Sequence, residues 1–292
     1  MTEAPRNCGG FCFGVKFSQL FERRSPPCRA RMHKVEPKVF LVGETKIMKE
    51  GLQSYLDHIG VPDWTSDAPT DAEKLVEAMG KLCYRSFKPG LNKNVKQVRN
   101  DNKKYIGHIL QVGHGSVLEH VTLNFVISDV SRVFTHELVR HRVGIAISQE
   151  SLRFVRLDDL GGWAPTVIRE DEKAMELFVK TFEDLEKLQL ELAAHFKLDD
   201  DKMPFDKKKI ITSAMRRLAP DGLSTTIGWS ANLRTLRWII DLRTEPAAEE
   251  EIRLVFGKIA ELVIKRYPHI FGDFTAEMKS GLPHYKPANR KV

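Results

Sequence analysis

Cysteine is scarce in this chain. There are four in 292 residues, and Cys8, Cys12 and Cys28 lie in the first tenth, leaving Cys83 alone in the remainder. That distribution supports no disulfide framework, and no His or Cys pair at finger spacing follows Cys8-x3-Cys12, so no metal site is expected. Free thiols in a reducing compartment are the expectation. Long apolar runs are also missing: nothing approaches the roughly 18–20 consecutive apolar residues that span a bilayer, which excludes an integral helical membrane protein. Three familiar loops are absent as well, namely Gly-x-Gly-x-x-Gly after a strand, the Gly-Lys-Ser/Thr phosphate loop and the Gly-x-Ser-x-Gly elbow. The nearest glycine cluster, Gly113-His114-Gly115, lacks a third glycine. A nucleotide or flavin bound by this chain therefore binds outside a standard Rossmann fold.

Positive charge is unevenly spread. The net charge is +7, but residues 1–35 hold seven basic side chains against Glu3 and Glu22, which leaves +2 for the other 257 residues. A folded body with so little excess and no groove-reading or base-stacking motif is not a nucleic-acid binder. Segment 1–36 is Arg-rich, acid-poor and broken by Gly and Pro. That composition fits an organellar transit peptide, and it equally fits a translated stretch upstream of a start near Met32. It is expected to be disordered and outside a single catalytic domain, residues 37–292, of an otherwise cytoplasmic protein.

The rest is ordinary globular sequence, 42% apolar and 29% charged. Val39-Phe40-Leu41-Val42 predicts a short buried strand ended by Gly43, and Thr45 to Ile59 a helix. Thr70-Asp71-Ala72-Glu73 is a capping box before the stripe Ala72, Leu75, Val76, Met79, Leu82 and Cys83, which places Cys83 in the core. Asn102 to Val112 predicts a helix closed by Gly113. Val121, Leu123, Phe125 and Ile127 alternate with Thr122, Asn124, Val126 and Ser128, the period of a half-buried strand, and Asp129 then offers a cap to the helix leading into Arg140. Glu170 to Leu198 predicts a long helix with Leu177, Phe178, Phe182, Leu185, Leu188 and Leu192 on one stripe, serving as core or subunit contact. Beyond the linker Asp199 to Pro204, helices over Lys207–Leu218, Thr235–Leu242 and Ala248–Arg266 and a strand near Leu223–Ser230 complete an α/β (α+β) chain.

Charge of one kind concentrates in Arg140-His141-Arg142 and the nearby Ser148-Gln149-Glu150-Ser151-Leu152-Arg153. Guanidinium groups stay charged and repel at close range unless anions lie between them. Alone, the run fits either a phosphate site or a solvated helix end, where cations are favourable in any case. A second series follows: Arg216-Arg217-Leu218-Ala219-Pro220, Asn232-Leu233-Arg234, Leu242-Arg243 and Glu251-Ile252. With His114-Gly115-Ser116-Val117-Leu118-Glu119-His120, these blocks resemble the flavin-dependent thymidylate synthases in order and approximate spacing, over roughly residues 38–272.

The resemblance implies a central sheet with long helices, a non-Rossmann FAD site between the subunits of a homotetramer, dUMP as substrate, and 5,10-methylenetetrahydrofolate and NADPH as co-substrates. By position it implies Arg243 as the catalytic guanidinium beside the pyrimidine. Glu137, Arg140, Gln149, Ser151, Arg153 and Arg216 would hold the nucleotide, with Ser151 a binding hydroxyl. Ser116, Arg140, His141, Arg142, Gln149, Asn232 and Arg234 would hold the flavin, with His114 either near it or a structural histidine beside a Gly turn. His120 is expected to pack or hydrogen-bond at the strand start. No cysteine here stands in a Pro-Cys-Gln nucleophile motif. The chain departs from the family pattern by eight residues between Arg142 and Ser151 instead of seven, and by Gln149, Glu137, Trp238 and Ala247 at positions commonly Glu, Gln, Asn or His, and His. Trp238 reads either as a ring that stacks on another aromatic or as the apolar anchor of its helix, the second being the expectation. Two alternatives stay open: C5-methylation or hydroxymethylation of another pyrimidine nucleotide such as UMP, and an inactive nucleotide-binding homologue.

Overall fold

The structure, a computed structural model, describes residues 32–154, 157 and 160–292. The body is α/β and begins at Met32. Residues 32–36, assigned above to the extension, belong to it: Met32 and Val35 are buried, and β1 (His33–Lys34) pairs in parallel with β5 (Gly161–Gly162). Residues 1–31, with Cys8, Cys12 and Cys28, lie outside the described residues.

After β1 come β2 (Lys38–Glu44), α1 (Lys49–His58), α2 (Asp71–Tyr84), α3 (Asn102–Val112), a 3-10 turn (Gly115–His120), β3 (Thr122–Ser131), α4 (Arg132–Leu138) and β4 (Ile145–Gln149). Past β5 follow α5 (Thr166–Arg169), α6 (Glu172–His195), α7 (Phe205–Met215), a second 3-10 turn (Arg216–Leu218), β6 (Ser224–Asn232), α8 (Leu233–Arg243), α9 (Glu250–Arg266), α10 (Pro268–Phe271), β7 (Phe274–Lys279) and β8 (Leu282–Pro287). Strands β2, β3, β6 and β4 form one antiparallel sheet in that order, and β7 and β8 form a C-terminal hairpin.

Alternation decides which face of the sheet is wet. Leu123, Phe125 and Ile127 of β3 and Ile227, Trp229 and Ala231 of β6 are buried on one face, where Phe125 stacks on its cross-strand partner Trp229 at 5.6 Å. Phe134, Leu236, Ile240, Phe256 and Ile259 from α4, α8 and α9 close that core. The other face carries polar pairs, Ser230–Asn124 at 2.7 Å and Ser128–Thr226 at 3.0 Å.

Several expectations need correction. Strand β2 is real but lies at the sheet edge, not buried, with Phe40 50% and Val42 62% exposed. Helix α1 starts at Lys49 rather than Thr45, because Thr45 extends the pairing with Thr122, donating N–H to its carbonyl (3.1 Å) and accepting its N–H at Oγ1 (2.9 Å). Cys83 is exposed. Helix α2 does turn Ala72, Leu75, Val76 and Met79 of the expected stripe to the core, but Leu82 is exposed like Cys83, and the helix also buries Glu73, Glu77 and Lys81, whose charges are satisfied locally. Glu73 accepts from Thr70 and His269 N–H, Glu77 from Ser66 and Asn102, and Lys81 donates to the Arg99 carbonyl. Burial pushes the Lys81 amine below its ordinary range, opposed by the adjacent Glu77. Of the α6 stripe expected as core or subunit contact, Phe182 packs with Met32 and Leu223 while Leu177 is exposed. Asp129 does not cap α4. It sits at a bulge with φ +60° and pairs with Lys38 at 2.9 Å, while the Ser131 hydroxyl accepts the Phe134 N–H as the true cap. The cap of α2 by Thr70 and the left-handed Gly113 after α3 agree with the sequence pattern, and the structure adds Asp101 as the cap of α3.

Candidate active site

Helix α4 is too short to hold itself and is fixed at its first turn. Ser131 N–H donates to Glu251 Oε1 (2.6 Å) and its hydroxyl to Glu251 Oε2, from α9. Burial pushes Glu251 up to about 7, against the pull of these Ser131 hydrogen bonds. The helix ends at Leu138 with Val139 as its C-cap, and residues 140–142 then separate. Arg140 and Arg142 are exposed while His141 turns inward, 5% exposed.

His141 meets Arg243, the last residue of α8. Arg243 Nε donates to His141 Nε2 at 2.7 Å and Nη1 to Glu137 Oε2 at 3.0 Å. Desolvation, reinforced by the Arg243 charge, holds His141 down at about 4, so its ring is neutral and can accept. Glu137, a carboxylate where a phosphate is expected, is thereby neutralised. Val133, His136, Glu137, Arg140, Asp221 and Arg243 line an open depression at this point. At pH 6 the ring nitrogens of His141 should still show the 15N shifts of neutral imidazole. Because its folded pKa is depressed, the associated stability is complete above about pH 6.5 and is lost as pH falls through about 4. A midpoint near 6.5 would remove this account of the Arg243–His141 contact.

A second group gathers where β6 ends and α8 begins. Asn232 Oδ1 caps α8 by accepting Thr235 N–H at 2.8 Å, and its own N–H donates to the Gly144 carbonyl at 2.9 Å. Arg234 reaches Glu119 at 2.6 Å across the backbone of Gly115, where a Cβ would stand 2.7 Å from Arg234 Nε. Ser116 is exposed beside them in the 3-10 turn, and His114 stacks on Tyr84 at 5.5 Å and shares a 2.6 Å hydrogen bond with its hydroxyl. Trp238, one turn beyond Arg234, is 54% exposed and meets the His141 ring edge-on at 5.2 Å. It does not anchor its helix.

Between Arg142 and Ser151 the chain turns at Gly144, with φ +69°. A Cβ there would collide with Asn232 Nδ2 and lie 2.6 Å from Thr235 Oγ1. Gly144→Ala should lower stability by at least about 1–2 kcal/mol, the left-handed penalty alone, and displace the Asn232 cap. Urea denaturation of the purified variant checks this, and an unchanged midpoint would show that the turn relaxes freely.

The remaining expected residues are more dispersed. Gln149 Nε2 donates to Thr135 Oγ1 at 3.2 Å, tying β4 to α4. Ser151 Oγ accepts Arg153 N–H at 3.4 Å, and Arg153 lies over the Phe154 ring at 5.9 Å. Arg216 is exposed beyond α7, near Arg132, whose own guanidinium pKa is lowered chiefly by burial. Among the described residues no hydrogen bond or ion pair joins Ser151, Arg153 or Arg216 to Arg243. His120 is exposed. Tyr84, Thr135 and the inward role of His141 escaped the sequence reading. Only Glu119, inside the quoted His114–His120 block, carried a usable signal.

The family model described as thymidylate synthase complementing protein matches residues 66–269. A flavin-dependent thymidylate synthase of Corynebacterium diphtheriae is 36% identical over 222 residues, 75% of this chain and 85% of that protein. One from Mycobacteroides abscessus is 35% identical over 229 residues, with 75% and 86% covered. Two solved structures share the fold. Thymidylate synthase X of Helicobacter pylori, with FAD and dUMP, superposes with TM-score 0.51 at 19% identity, covering 82% of this chain and 98% of that one. A UMP/dUMP methylase, PolB of Streptomyces cacaoi, bound with 5-Br UMP, gives 0.56 at 14% identity, covering 83% and 95%. By its conserved-model match and the identity and coverage of these relatives, the chain belongs to the flavin-dependent thymidylate synthase family.

Proposed function

We propose that this enzyme methylates dUMP at C5 to give dTMP, with methylenetetrahydrofolate as carbon donor, FAD as hydride source and NADPH as the reductant of the flavin. The observation that carries the reading is the oriented Arg243 guanidinium, with Nε on neutral His141 and Nη1 on Glu137. Beside a uracil ring it favours the N3-deprotonated, enolate-like form and makes C5 nucleophilic without a thiol, and such preorganised charge is often the largest part of a rate enhancement. Cys83, exposed on α2, takes no part.

The nucleotide phosphate is assigned to Arg140, Arg153 and Arg216, with Gln149 and Ser151 as neutral donors. Charge-assisted hydrogen bonds contribute roughly 1.5–3 kcal/mol each, so two or three arginines suffice for micromolar binding. The exposed Ser116, Arg142 and Arg234 and the half-buried Asn232, with Arg234 packed on the Gly115 backbone, are assigned to the anionic diphosphate of FAD, together with His114 and His141. FAD bound there supplies the hydride. Arg142 and Arg234 are solvent-facing, as is Leu177 on α6, in keeping with a homotetramer that completes each flavin site from a second subunit. Light scattering should give the mass of four chains, and a flavin-loaded monomer would count against shared sites.

Among the described residues no helix is long and apolar enough to cross a membrane. A cytoplasmic setting, with the basic N-terminal segment as an organellar address, completes the reading. A reporter fused to residues 1–36 tests the address.

The decisive experiment is an absorbance spectrum of the purified protein, followed by anaerobic photoreduction, addition of dUMP and methylenetetrahydrofolate, and mass analysis of the nucleotide. Bound flavin and a product heavier by one methylene support the reading. Bound flavin with product only from UMP favours the second reading, motivated by Glu137 and Trp238 at contact positions. Absence of flavin after reconstitution favours an inactive homologue.

A further inference from the structure

The family match ends at residue 269, yet the chain continues through α10 and the β7–β8 hairpin, and this segment is tied to the helix that ends in Arg243. Tyr285 of β8 donates its N–H to Thr244 Oγ1 at 2.9 Å, while the same hydroxyl donates to the Ile240 carbonyl at 2.7 Å; both contacts are buried. Thr244 directly follows Arg243 and caps α8. Two residues before Arg243, Asp241 receives Arg290 Nε (2.9 Å) and Nη2 (2.7 Å), and His284 Nε2 lies 3.8 Å from its other oxygen. The hairpin is itself fastened to α9, where Arg253 donates to the carbonyls of Lys279 (2.6 Å) and Leu282 (3.2 Å). Helix α9 supplies the Glu251 that locks α4. Arg243 is thus bracketed in sequence by contacts from the hairpin and from Arg290 just beyond it, and its two partners, Glu137 on α4 and His141 just after it, depend on an element fixed to the same frame.

We propose that the C-terminal hairpin is the positioning element for Arg243, acting through the Tyr285 N–H to Thr244 Oγ1 bond as its main strut, with Thr244 a positioning residue for the reaction. The proposal rests on the reading of Arg243 given above, but the geometry itself can be tested apart from turnover. A helix end left without its cap frays and turns, and small misplacements at a reacting group cost up to roughly 10²-fold in rate. Local packing alone would lower stability without moving the guanidinium from His141.

Thr244→Val keeps the shape and removes both hydrogen bonds, and Thr244→Ser restores them. In the uncomplexed protein, the His141 titration midpoint followed by 15N-histidine NMR should rise from about 4 in Thr244→Val as Arg243 withdraws, and return in Thr244→Ser. In the flavin-loaded enzyme, kcat should fall roughly 10- to 100-fold with KM for dUMP changed much less. If Thr244→Val does not fold, Arg290→Ala, at an exposed pair, should move the His141 midpoint in the same direction by less. An unchanged midpoint in whichever variant is folded overturns the proposal, even if turnover drops. A shifted midpoint with undiminished kcat also overturns the link to the reaction. Failure of the parent reading shows separately, as turnover that survives loss of Arg243 itself.

Discussion

Arg243→Ala should abolish measurable dTMP formation while leaving the protein folded and flavin-loaded. The side chain is 19% exposed, so its removal leaves a solvated gap rather than a core cavity. Neutral His141 takes Nε and Glu137 takes Nη1, and among the described residues no hydrogen bond takes Nη2. Loss of one preorganised donor to a developing oxyanion costs about 10²–10³ in kcat, and loss of a full charge should cost at least that. Lysine should not rescue, because an ammonium cannot span His141 and Glu137 while presenting a third donor in plane. Glu137 supplies an internal control. Without Arg243 its carboxylate faces the phosphate uncompensated, so KM for dUMP should rise in Arg243→Ala and recover in Glu137→Gln/Arg243→Ala, with kcat staying low in both. Steady-state rates with product quantified by mass provide the check, and a kcat within tenfold of the parent removes Arg243 from the chemistry.

The largest stability loss is expected one and a half turns earlier on the same helix. Arg237 is 1% exposed and donates to Asp273 through both terminal nitrogens (2.7 and 2.9 Å), to the Asn289 carbonyl at 3.3 Å and to the Ile270 carbonyl. Burial pushes Asp273 up, but the Arg237 bonds and charge outweigh it and hold the carboxyl below its ordinary range. Arg237→Met fills much of the volume and strands that carboxylate, and breaking one side of a buried pair costs about 3–5 kcal/mol. Urea denaturation measures it. The wild-type contribution from Asp273 is present above its unfolded pKa of roughly 3.9 and disappears as pH falls through the lower folded value. The deficit of Arg237→Met should therefore shrink in acid. Arg237→Met/Asp273→Asn should recover part of the loss at neutral pH, and a double variant no better than the single would show that the pair is not the source.

Much of the scaffold is legible in local spacing. Alternation of Leu123, Phe125 and Ile127 with polar residues is β3, Thr70 before Glu73 is the cap of α2, and Gly113 closes α3 at φ +78°. These are readable because cap, turn and pleat depend on residues a few positions apart. Spacing was misread where burial overrides it. Helix α2 turns Glu73, Glu77 and Lys81 inward because Thr70, Ser66, Asn102, His269 and the Arg99 carbonyl satisfy them, and Cys83 is displaced to the surface as a result.

The sequence by itself determined the family, the arginine-rich motif blocks and the lack of a Pro-Cys-Gln nucleophile motif. Each follows from residue identity and order, which no folding event alters. Tertiary structure alone decided how those residues act. Arg243 and His141 are 102 positions apart, and their contact, the neutral state of His141 and the cancellation of Glu137 arise only when α8 is docked beside the end of α4. Desolvation and charge pairing depend on distance through space, and through-space distance between remote segments is set by the core and by the C-terminal hairpin that frames it.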